Sequence, residues 1–278
     1  MSIMKKWSKE NVVDTLPVRK SDAHKGTYGT ALIAAGSRFM PGAAVLSAIA
    51  CMRSGVGKLE MGTEESVIPY VIQHLPETTF VPGFYERLND LPFNHYTVLA
   101  AGPGREENDE TEKVVQTFLS TDLPVVLDAG ALRERTYQKR KSPVILTPHP
   151  GEFIRISSFD KEKVEQDRQA AAAEFAAQTG VTVVLKGKET ITAFPDGETY
   201  MNTTGNSSLS KGGTGDTLTG MITGMLCCHD DWKHAILNAV YLHGACADHW
   251  IKTRSPHTML ASELSELLPE VWKKYEQK

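Results

Sequence analysis

Residues 212–216, GGTGD, combine three glycines and one carboxylate in a pattern that could support phosphoryl transfer. The run leads directly into an apolar segment, LTGMITGMLCC, which predicts a buried helix. Free N–H groups at a helix N-terminus attract anions, and glycines such as Gly213 and Gly215 let a phosphate approach the main chain. Asp216 could then accept the proton of an attacking hydroxyl. The alternative is structural, because Asp216 could simply complement the helix dipole.

Two standard phosphate-binding patterns are absent around this loop. No Walker A motif occurs, and Leu218 stands where GxGxxG would need its third glycine. The wider run over residues 203–217, TTGNSSLSKGGTGDT, has the composition of a linker or a long surface loop. Residue types alone therefore leave a linker and an anion-binding loop both open.

Five short apolar runs have the length and composition of strands buried on both faces of a parallel sheet. They are TALIAA (30–35), YTVLAAG (96–102), LPVVLDAG (123–130), SPVILTP (142–148) and VTVVLKG (181–187). Helices are predicted over 41–54, 161–179, 215–228, 233–252 and 261–275. Asp196-Gly197 signals a β-hairpin. The alternation predicts an α/β fold, one domain over residues 1–278, with helices on both faces of a mostly parallel sheet.

Ligands of such folds bind beyond the carboxyl ends of the strands. The segments that follow the predicted strands carry glycine, charge or histidine: GSRFMPGAA, GPGRE, DAGAL, TPHPGEF and KGKET. Their side chains are therefore expected to converge on one cleft.

Composition narrows the possible partners and compartments. A formal net charge of −4 without a long basic run argues against nucleic acid, and no apolar run suits a signal peptide or a membrane span. The four cysteines form no CxxC pair, which fits buried thiols in a reducing cytoplasm. His243 and Cys246 have the helical spacing of two zinc ligands, but a second pair is missing.

The motifs taken together resemble one enzyme family. NTTGNSSLSKGGTGDTLTGMITGML is similar to the C-terminal signature of the ribokinase-like superfamily. HKGTYG, AAGPG, VVLDAGAL, LTPHPGEF and VVLKGKET occur in the order found in ADP/ATP-dependent NAD(P)H-hydrate dehydratases, and they span most of the chain. The resemblance implies a ribokinase-like fold without the N-terminal epimerase domain that some members carry.

The resemblance also implies a metabolite-repair reaction on NADH and NADPH hydrated at the C5–C6 bond of the nicotinamide ring. The S form of the hydrate, NADHX or NADPHX, would be dehydrated at the expense of ADP, giving AMP and phosphate, or of ATP. Mg²⁺ is the expected metal, and a homo-oligomer, a tetramer by resemblance, the expected assembly. The expected partners are small molecules, with no nucleic acid and no membrane.

Site residues follow from the resemblance by motif. Asp216 would deprotonate the substrate hydroxyl, and the amides of Gly213, Thr214 and Gly215 would hold the transferred phosphoryl group. The AMP part would meet Lys186, Gly187, Lys188, Glu189, Thr190 and Gly215. The hydrate would meet Ala43, Gly102, Gly104, His149 and Asp216. Glu152 is a candidate Mg²⁺ ligand, directly or through water.

One position departs from the family pattern. DAGAL retains Asp128 but has Gly130 where a second Asp is common, which puts the role of that second carboxylate in doubt. Two alternatives remain open: a ribokinase-like kinase of a vitamin-precursor or sugar alcohol, and a nucleotide-binding protein without turnover.

Overall fold

The computed structural model describes residues 4–276, which form one ten-stranded sheet between two layers of helices. The strands are β1 Lys5–Trp7, β2 Thr30–Ala34, β3 Lys58–Gly62, β4 Thr79–Phe80, β5 Val98–Ala101, β6 Val125–Leu127, β7 Val144–Leu146, β8 Thr182–Leu185, β9 Ile191–Ala193 and β10 Thr199–Asn202. Their spatial order is β1-β10-β9-β8-β7-β6-β5-β2-β3-β4. The α/β prediction with a mostly parallel sheet is confirmed, since only β9 pairs antiparallel with its neighbours β8 and β10.

Ten α-helices connect and cover the strands within residues 4–276. They are α1 Lys9–Thr15, α2 Pro41–Arg53, α3 Ile68–His74, α4 Asp109–Ser120, α5 Pro150–Ser157, α6 Lys161–Gln166, α7 Arg168–Thr179, α8 Thr214–Cys228, α9 Trp232–Trp250 and α10 Ala261–Lys273. None of the described helices is long and apolar enough to cross a membrane.

Side-chain alternation along the strands divides the core into two parts. In β2, Ala31 and Ile33 join one core cluster, which packs against α2, α8, α9 and α10. Leu32 and Ala34 join the other, which packs against α4 to α7. Since residues two apart share a face of a strand, both faces of the central strands are apolar, as a sheet covered on both sides requires.

Glycines allow the close packing of α8 against α2. A Cβ at Gly220 would lie 2.2 Å from the carbonyl oxygen of Ser47, and one at Gly224 would lie 2.4 Å from that of Cys51. The two glycines, one turn apart, therefore bring the backbones of α8 and α2 together. This contact fixes α8 and thus the direction of its N-terminus.

The predicted helix over 161–179 was wrong in one respect, because α6 and α7 are separate helices. Asp167 interrupts them with non-helical φ and ψ angles of −148° and 85°. Its side chain accepts a hydrogen bond from the amide of Ala170 and so caps α7. The predicted end of the segment is confirmed, since Gly180 adopts a left-handed φ of 74°.

Candidate active site

The predicted convergence of segments beyond the strand ends is present in the structure. Ala43 follows β2, Gly104 follows β5, Asp128 follows β6, His149 follows β7 and Lys186 follows β8. A Cβ at Gly104 would lie 2.7 Å from the Cβ of Ala43, so these two predicted substrate contacts are neighbours. The carboxyl edge of the sheet therefore gathers residues that are up to 143 positions apart in the chain.

The anion loop, residues 212–216, starts α8. Gly213 is its N-cap with a φ of 92°, and a Cβ there would lie 2.6 Å from Leu46 Cδ1, so only glycine fits. The first amides of α8 have no partner within the helix, and the helix dipole adds positive potential. Composition allowed a linker, but the loop is a helix start held against α2.

The upstream part of the run is tied to α9. The Thr204 hydroxyl donates to the carbonyl of Tyr241 at 2.6 Å. The Asp248 carboxylate accepts hydrogen bonds from the Gly205 amide at 2.9 Å and from Asn206 Nδ2 at 2.8 Å. Residues 204–206 are therefore a fixed wall of the site rather than a linker.

Lys186 lies beside the start of α8 and is held by Asp128. Its Nζ donates to Asp128 Oδ1 at 2.9 Å and lies 4.0 Å from Glu152 Oε2. A Cβ at Gly215 would lie 3.1 Å from the same Nζ. Burial lowers the pKa of Lys186, but attraction to Asp128 and Glu152 outweighs burial and raises it overall. A fixed ammonium group therefore accompanies the amides of Gly213 and Gly215, while the Thr214 amide donates to the carbonyl of Lys211 at 3.5 Å.

Asp128 is a fully paired carboxylate. Besides Lys186, it accepts a hydrogen bond from the hydroxyl of Thr219, on α8, at 2.9 Å. Burial alone would raise its pKa, but Lys186 and the hydroxyl groups hold the pKa of Asp128 below its usual value. Asp128 is thus charged and serves to orient Lys186.

Asp216 has the opposite environment. Its carboxylate accepts no hydrogen bond from any residue between 4 and 276. Burial raises the pKa of Asp216 to about 7, and the negative charges of Asp128 and Glu152 add to the rise while Lys186 opposes it. A carboxylate with a pKa near neutrality, free of partners, has the properties of a general base.

A cavity of about 650 Å³ adjoins the anion loop. Its lining includes Thr214 together with five of the residues expected at the AMP part: Lys186, Gly187, Lys188, Thr190 and Gly215. Glu189 is exposed and does not line it. The volume lies in the range of small-molecule sites.

His149 and Glu152 cap one another at the start of α5. His149 Nδ1 accepts from the amides of Gly151 and Glu152 at 3.1 and 3.2 Å, and Glu152 Oε2 accepts from the His149 amide at 2.8 Å. The imidazole is 57% exposed, and its Nε2 lies 3.5 Å from Glu152 Oε1. Within residues 4–276 no three His, Cys, Asp or Glu residues are grouped to hold a metal ion.

Gly102 and Gly130 are required by close contacts between main chains. Gly102 has a φ of 124°, and a Cβ there would lie 1.7 Å from the carbonyl oxygen of Asp128. A Cβ at Gly130 would lie 2.1 Å from the carbonyl oxygen of Arg105. On this backbone, any side chain at position 130 would therefore meet the main chain of Arg105.

Sequence reasoning missed several residues that build the site. Arg168, on α7, donates to the carbonyls of Leu185 and Lys186 at 3.2 and 2.9 Å and supports the loop after β8. Thr219 and Asp248 were also missed. A threonine one turn after Asp216 was the only available signal for Thr219, and no signal marked the others.

Comparisons with known proteins agree with this geometry. The family model for NAD(P)H-hydrate dehydratase matches residues 31–270. The chain is 54% identical to the ADP-dependent (S)-NAD(P)H-hydrate dehydratase of Bacillus subtilis, over 97% of this chain and 98% of that protein. The chain belongs to the NAD(P)H-hydrate dehydratase family.

This chain is also similar to other members of the dehydratase family, in sequence and in structure. A bifunctional NAD(P)H-hydrate repair enzyme from Moorella thermoacetica is 33% identical over 94% of this chain, which spans 52% of that protein. A crystal structure of the B. subtilis ADP/ATP-dependent dehydratase, co-crystallised with ATP and Mg²⁺, superposes with a TM-score of 0.95 at 53% identity and covers 98% of this chain and 99% of that one.

A more distant neighbour shares the fold alone. A hydroxyethylthiazole kinase from Pyrococcus horikoshii has a TM-score of 0.60 at 13% identity, with 91% of each chain covered. A ribokinase-like superfamily protein from Enterococcus faecalis has a TM-score of 0.88 at 30% identity, with 99% of this chain and 97% of that one covered. This match confirms the predicted ribokinase-like architecture.

Proposed function

We propose that this chain catalyses the nucleotide-dependent dehydration of the S form of hydrated NADH and NADPH. The observation that carries the proposal is the position of Asp216 at the N-terminus of α8 and close to Lys186, as a carboxylate with a pKa of about 7 that accepts no hydrogen bond within residues 4–276. This arrangement can deprotonate a hydroxyl and hold a phosphoryl group at once. The family to which the chain belongs supports the choice of substrate.

The reaction divides into two steps. Asp216 takes the proton of the hydroxyl group beside the ring nitrogen. The oxygen of that hydroxyl group attacks the terminal phosphorus of ADP and displaces AMP. The lone pair of the ring nitrogen then expels phosphate by breaking the C–O bond, and loss of a proton from the neighbouring carbon restores the double bond. NADH hydrate and ADP thus become NADH, AMP and phosphate, without an oxidant or a reductant.

The two substrates occupy different parts of the site in this proposal. The AMP part lies in the 650 Å³ cavity against Lys186, Gly187, Lys188, Thr190 and Gly215. The hydrate lies on the opposite side of Asp216, against Ala43, Gly102, Gly104 and His149. Phosphoryl transfer then takes place over Gly213, Thr214 and Gly215, beside the Lys186 ammonium group.

A divalent metal fits the site only together with the nucleotide. Mg²⁺ is commonly held by one or two carboxylates plus substrate phosphates and several waters. Asp128 is occupied by Lys186 and Thr219, which leaves Glu152 as the carboxylate that would hold the ion. When bound, the ion would neutralise phosphate charge.

The proposal includes a cytoplasmic, homo-oligomeric enzyme. All four cysteines are free thiols, which suits a reducing compartment. Phe39, Tyr70 and Leu260 are exposed apolar side chains, at 85%, 52% and 58%, and we propose that a second copy covers them. Light scattering at micromolar concentration tests the assembly, and a monomeric mass would contradict it.

The deciding experiment supplies NADH hydrate with ADP or with ATP in parallel and follows the return of NADH absorbance. We expect AMP and phosphate to appear in equal amounts with NADH when ADP is used. A stable phosphorylated product without recovery of NADH would instead identify a small-molecule kinase. Binding of nucleotide without turnover of any substrate would identify a binding protein.

A further inference from the structure

A buried histidine connects the cavity wall with the anion loop. His243, on α9, is 7% exposed and lines the 650 Å³ cavity. Its Nε2 lies 2.9 Å from the carbonyl oxygen of Thr214. A carbonyl oxygen can only accept a hydrogen bond, so Nε2 carries the proton. Burial lowers the pKa of His243 to about 4, against the effect of this hydrogen bond, so the ring is neutral and Nδ1 is a free acceptor.

Thr214 is the residue through which His243 acts on the loop. The Thr214 hydroxyl donates to the carbonyls of Leu209 and Lys211, both at 2.9 Å, while its own carbonyl accepts from His243. The orientation of the peptide after Thr214 directs the amide of Gly215. His243 therefore helps to direct the amide that the phosphoryl group would meet.

The second ring nitrogen of His243 faces the cavity. Nδ1 makes no hydrogen bond with any residue between 4 and 276, and it is not among the fully buried polar atoms without a partner. The cavity lining combines the apolar side chains of Leu209, Leu218 and Val240 with polar ones such as Asn202 and Thr204. An unpaired acceptor in a binding cavity favours ligands that present a donor to it, because a second acceptor would be left unsatisfied.

We propose that His243 is both a positioning and a recognition residue of the nucleotide site. Its Nε2–H fixes Thr214 and thereby the anion loop, and its Nδ1 accepts a hydrogen bond from the nucleoside. The donor is either the exocyclic amine of adenine or a ribose hydroxyl. The inference rests on the proposed function in one respect, that the cavity holds the nucleotide.

Nucleotide analogues distinguish the two donors. Hypoxanthine presents a carbonyl acceptor where adenine presents its amine, and deoxynucleotides lack a ribose hydroxyl. Wild-type protein is titrated by calorimetry with AMP, IMP, 2′-deoxy-AMP and 3′-deoxy-AMP. We expect one of the three analogues to bind about tenfold more weakly than AMP, which corresponds to one lost hydrogen bond. Equal affinity for all four ligands would overturn the recognition role.

Variants test the same residue from the protein side. We expect His243→Leu to weaken AMP binding by about tenfold or more and to lose the discrimination between AMP and its analogue. His243→Gln carries an amide nitrogen near the position of Nε2, so it should recover the Thr214 contact and a measurable part of the affinity. The control is His249→Leu on the same helix, where the imidazole pairs with Glu270 at the surface. It should bind AMP as the wild type does.

Failure of this inference differs from failure of the proposed function. If the wild type dehydrates the hydrate and His243→Leu binds AMP with the same Kd as the wild type, only the inference about His243 is contradicted. If the wild type binds AMP and the His243 variants behave as expected but no hydrate is dehydrated, the proposed function falls alone. A wild type that binds no adenine nucleotide overturns both.

Discussion

Asp128 and Asp216 lie in one site and differ in almost every physical property. Asp128 is paired with Lys186 at 2.9 Å and with Thr219 at 2.9 Å, and its pKa is lowered. Asp216 accepts no hydrogen bond from the described residues 4–276, and burial raises its pKa to about 7. Asp128 is the more deeply buried of the two and yet has the lower pKa, so burial alone does not explain the difference.

The difference comes from the neighbours of each carboxylate. Lys186 neutralises Asp128 and leaves only a weaker attraction for Asp216, which also feels the charge of Asp128 itself. Two equal side chains thus acquire two functions, one that holds a cation and one that takes a proton. The following predictions alter one member of this pair or one of its partners.

Asp216→Asn should have the largest effect on activity. The amide cannot accept the substrate proton, so we expect kcat to fall by about 10²–10⁴. Steady-state turnover of NADH hydrate with saturating ADP measures the loss. Activity within tenfold of the wild type would remove Asp216 from the mechanism.

The same substitution provides its own control for folding. The pKa of the Asp216 carboxyl group is higher in the folded than in the unfolded protein, so the folded protein loses stability as the pH rises from the unfolded pKa toward 7. The reason is that the unfolded state releases the proton more readily. Asp216→Asn should therefore raise Tm at pH 8 by roughly 2–6 °C. A lower Tm would show that the loss of activity reflects damage to the fold.

Lys186→Met should be the most destabilising change at the pair. It leaves Asp128 buried without its cation, which costs about 3–5 kcal/mol of unfolding free energy. Urea denaturation measures the change. The matched control is Lys233→Met. The wild-type Lys233 ammonium pairs with the half-exposed Glu198, so its loss should cost less than about 1 kcal/mol of unfolding free energy. Equal losses in the two variants would contradict the structural role given to Lys186.

The pH profile should separate the two carboxylates. The general base must be ionised, so kcat/KM of the wild type should fall as pH drops through about 7. Asp128→Asn removes a negative charge near Asp216 and frees Lys186, and both changes lower the pKa of Asp216. We expect the acidic limb to move down by about one pH unit. An unshifted limb would mean that Asp128 does not act on Asp216.

Thr219→Val should give the smallest effect. It removes one hydrogen bond to Asp128 while Lys186 remains, so we expect a loss of about 1 kcal/mol. Thr223→Val is the control, since Thr223 lies one turn further along α8, is equally buried, and donates only to the carbonyl of Thr219. A larger loss for Thr223→Val would argue against a special role for the Thr219 hydroxyl.

Much of this site could be predicted because its parts carry local signals. Apolar runs marked β2 and β5 to β8, and the glycines of residues 212–216 marked the start of α8. The edge strands β1 and β4, the strand β3 beside β4, and the helices α1, α3, α4 and α5 were not predicted. They are short or weakly apolar, and they depend on contacts made after the sheet has formed.

The pairings themselves could not be predicted from one sequence. Lys186 and Asp128 are 58 residues apart, and only the parallel arrangement of β6, β7 and β8 brings them together. The separation of α6 from α7 depended on the capping geometry of Asp167 rather than on composition. Gly130 could be recognised as unusual, but the main chain of Arg105 that requires it lies on another loop.

The short strand β1 has a consequence for protein handling. It pairs in parallel with β10, at the end of the sheet, and Trp7 Nε1 donates to Asn238 on α9 at 3.0 Å. Without β1, the outer hydrogen-bonding groups of β10 would be open to other chains, a known route to aggregation. We expect a protein that starts at residue 8 to precipitate during refolding, whereas retained solubility would show that β10 needs no cover.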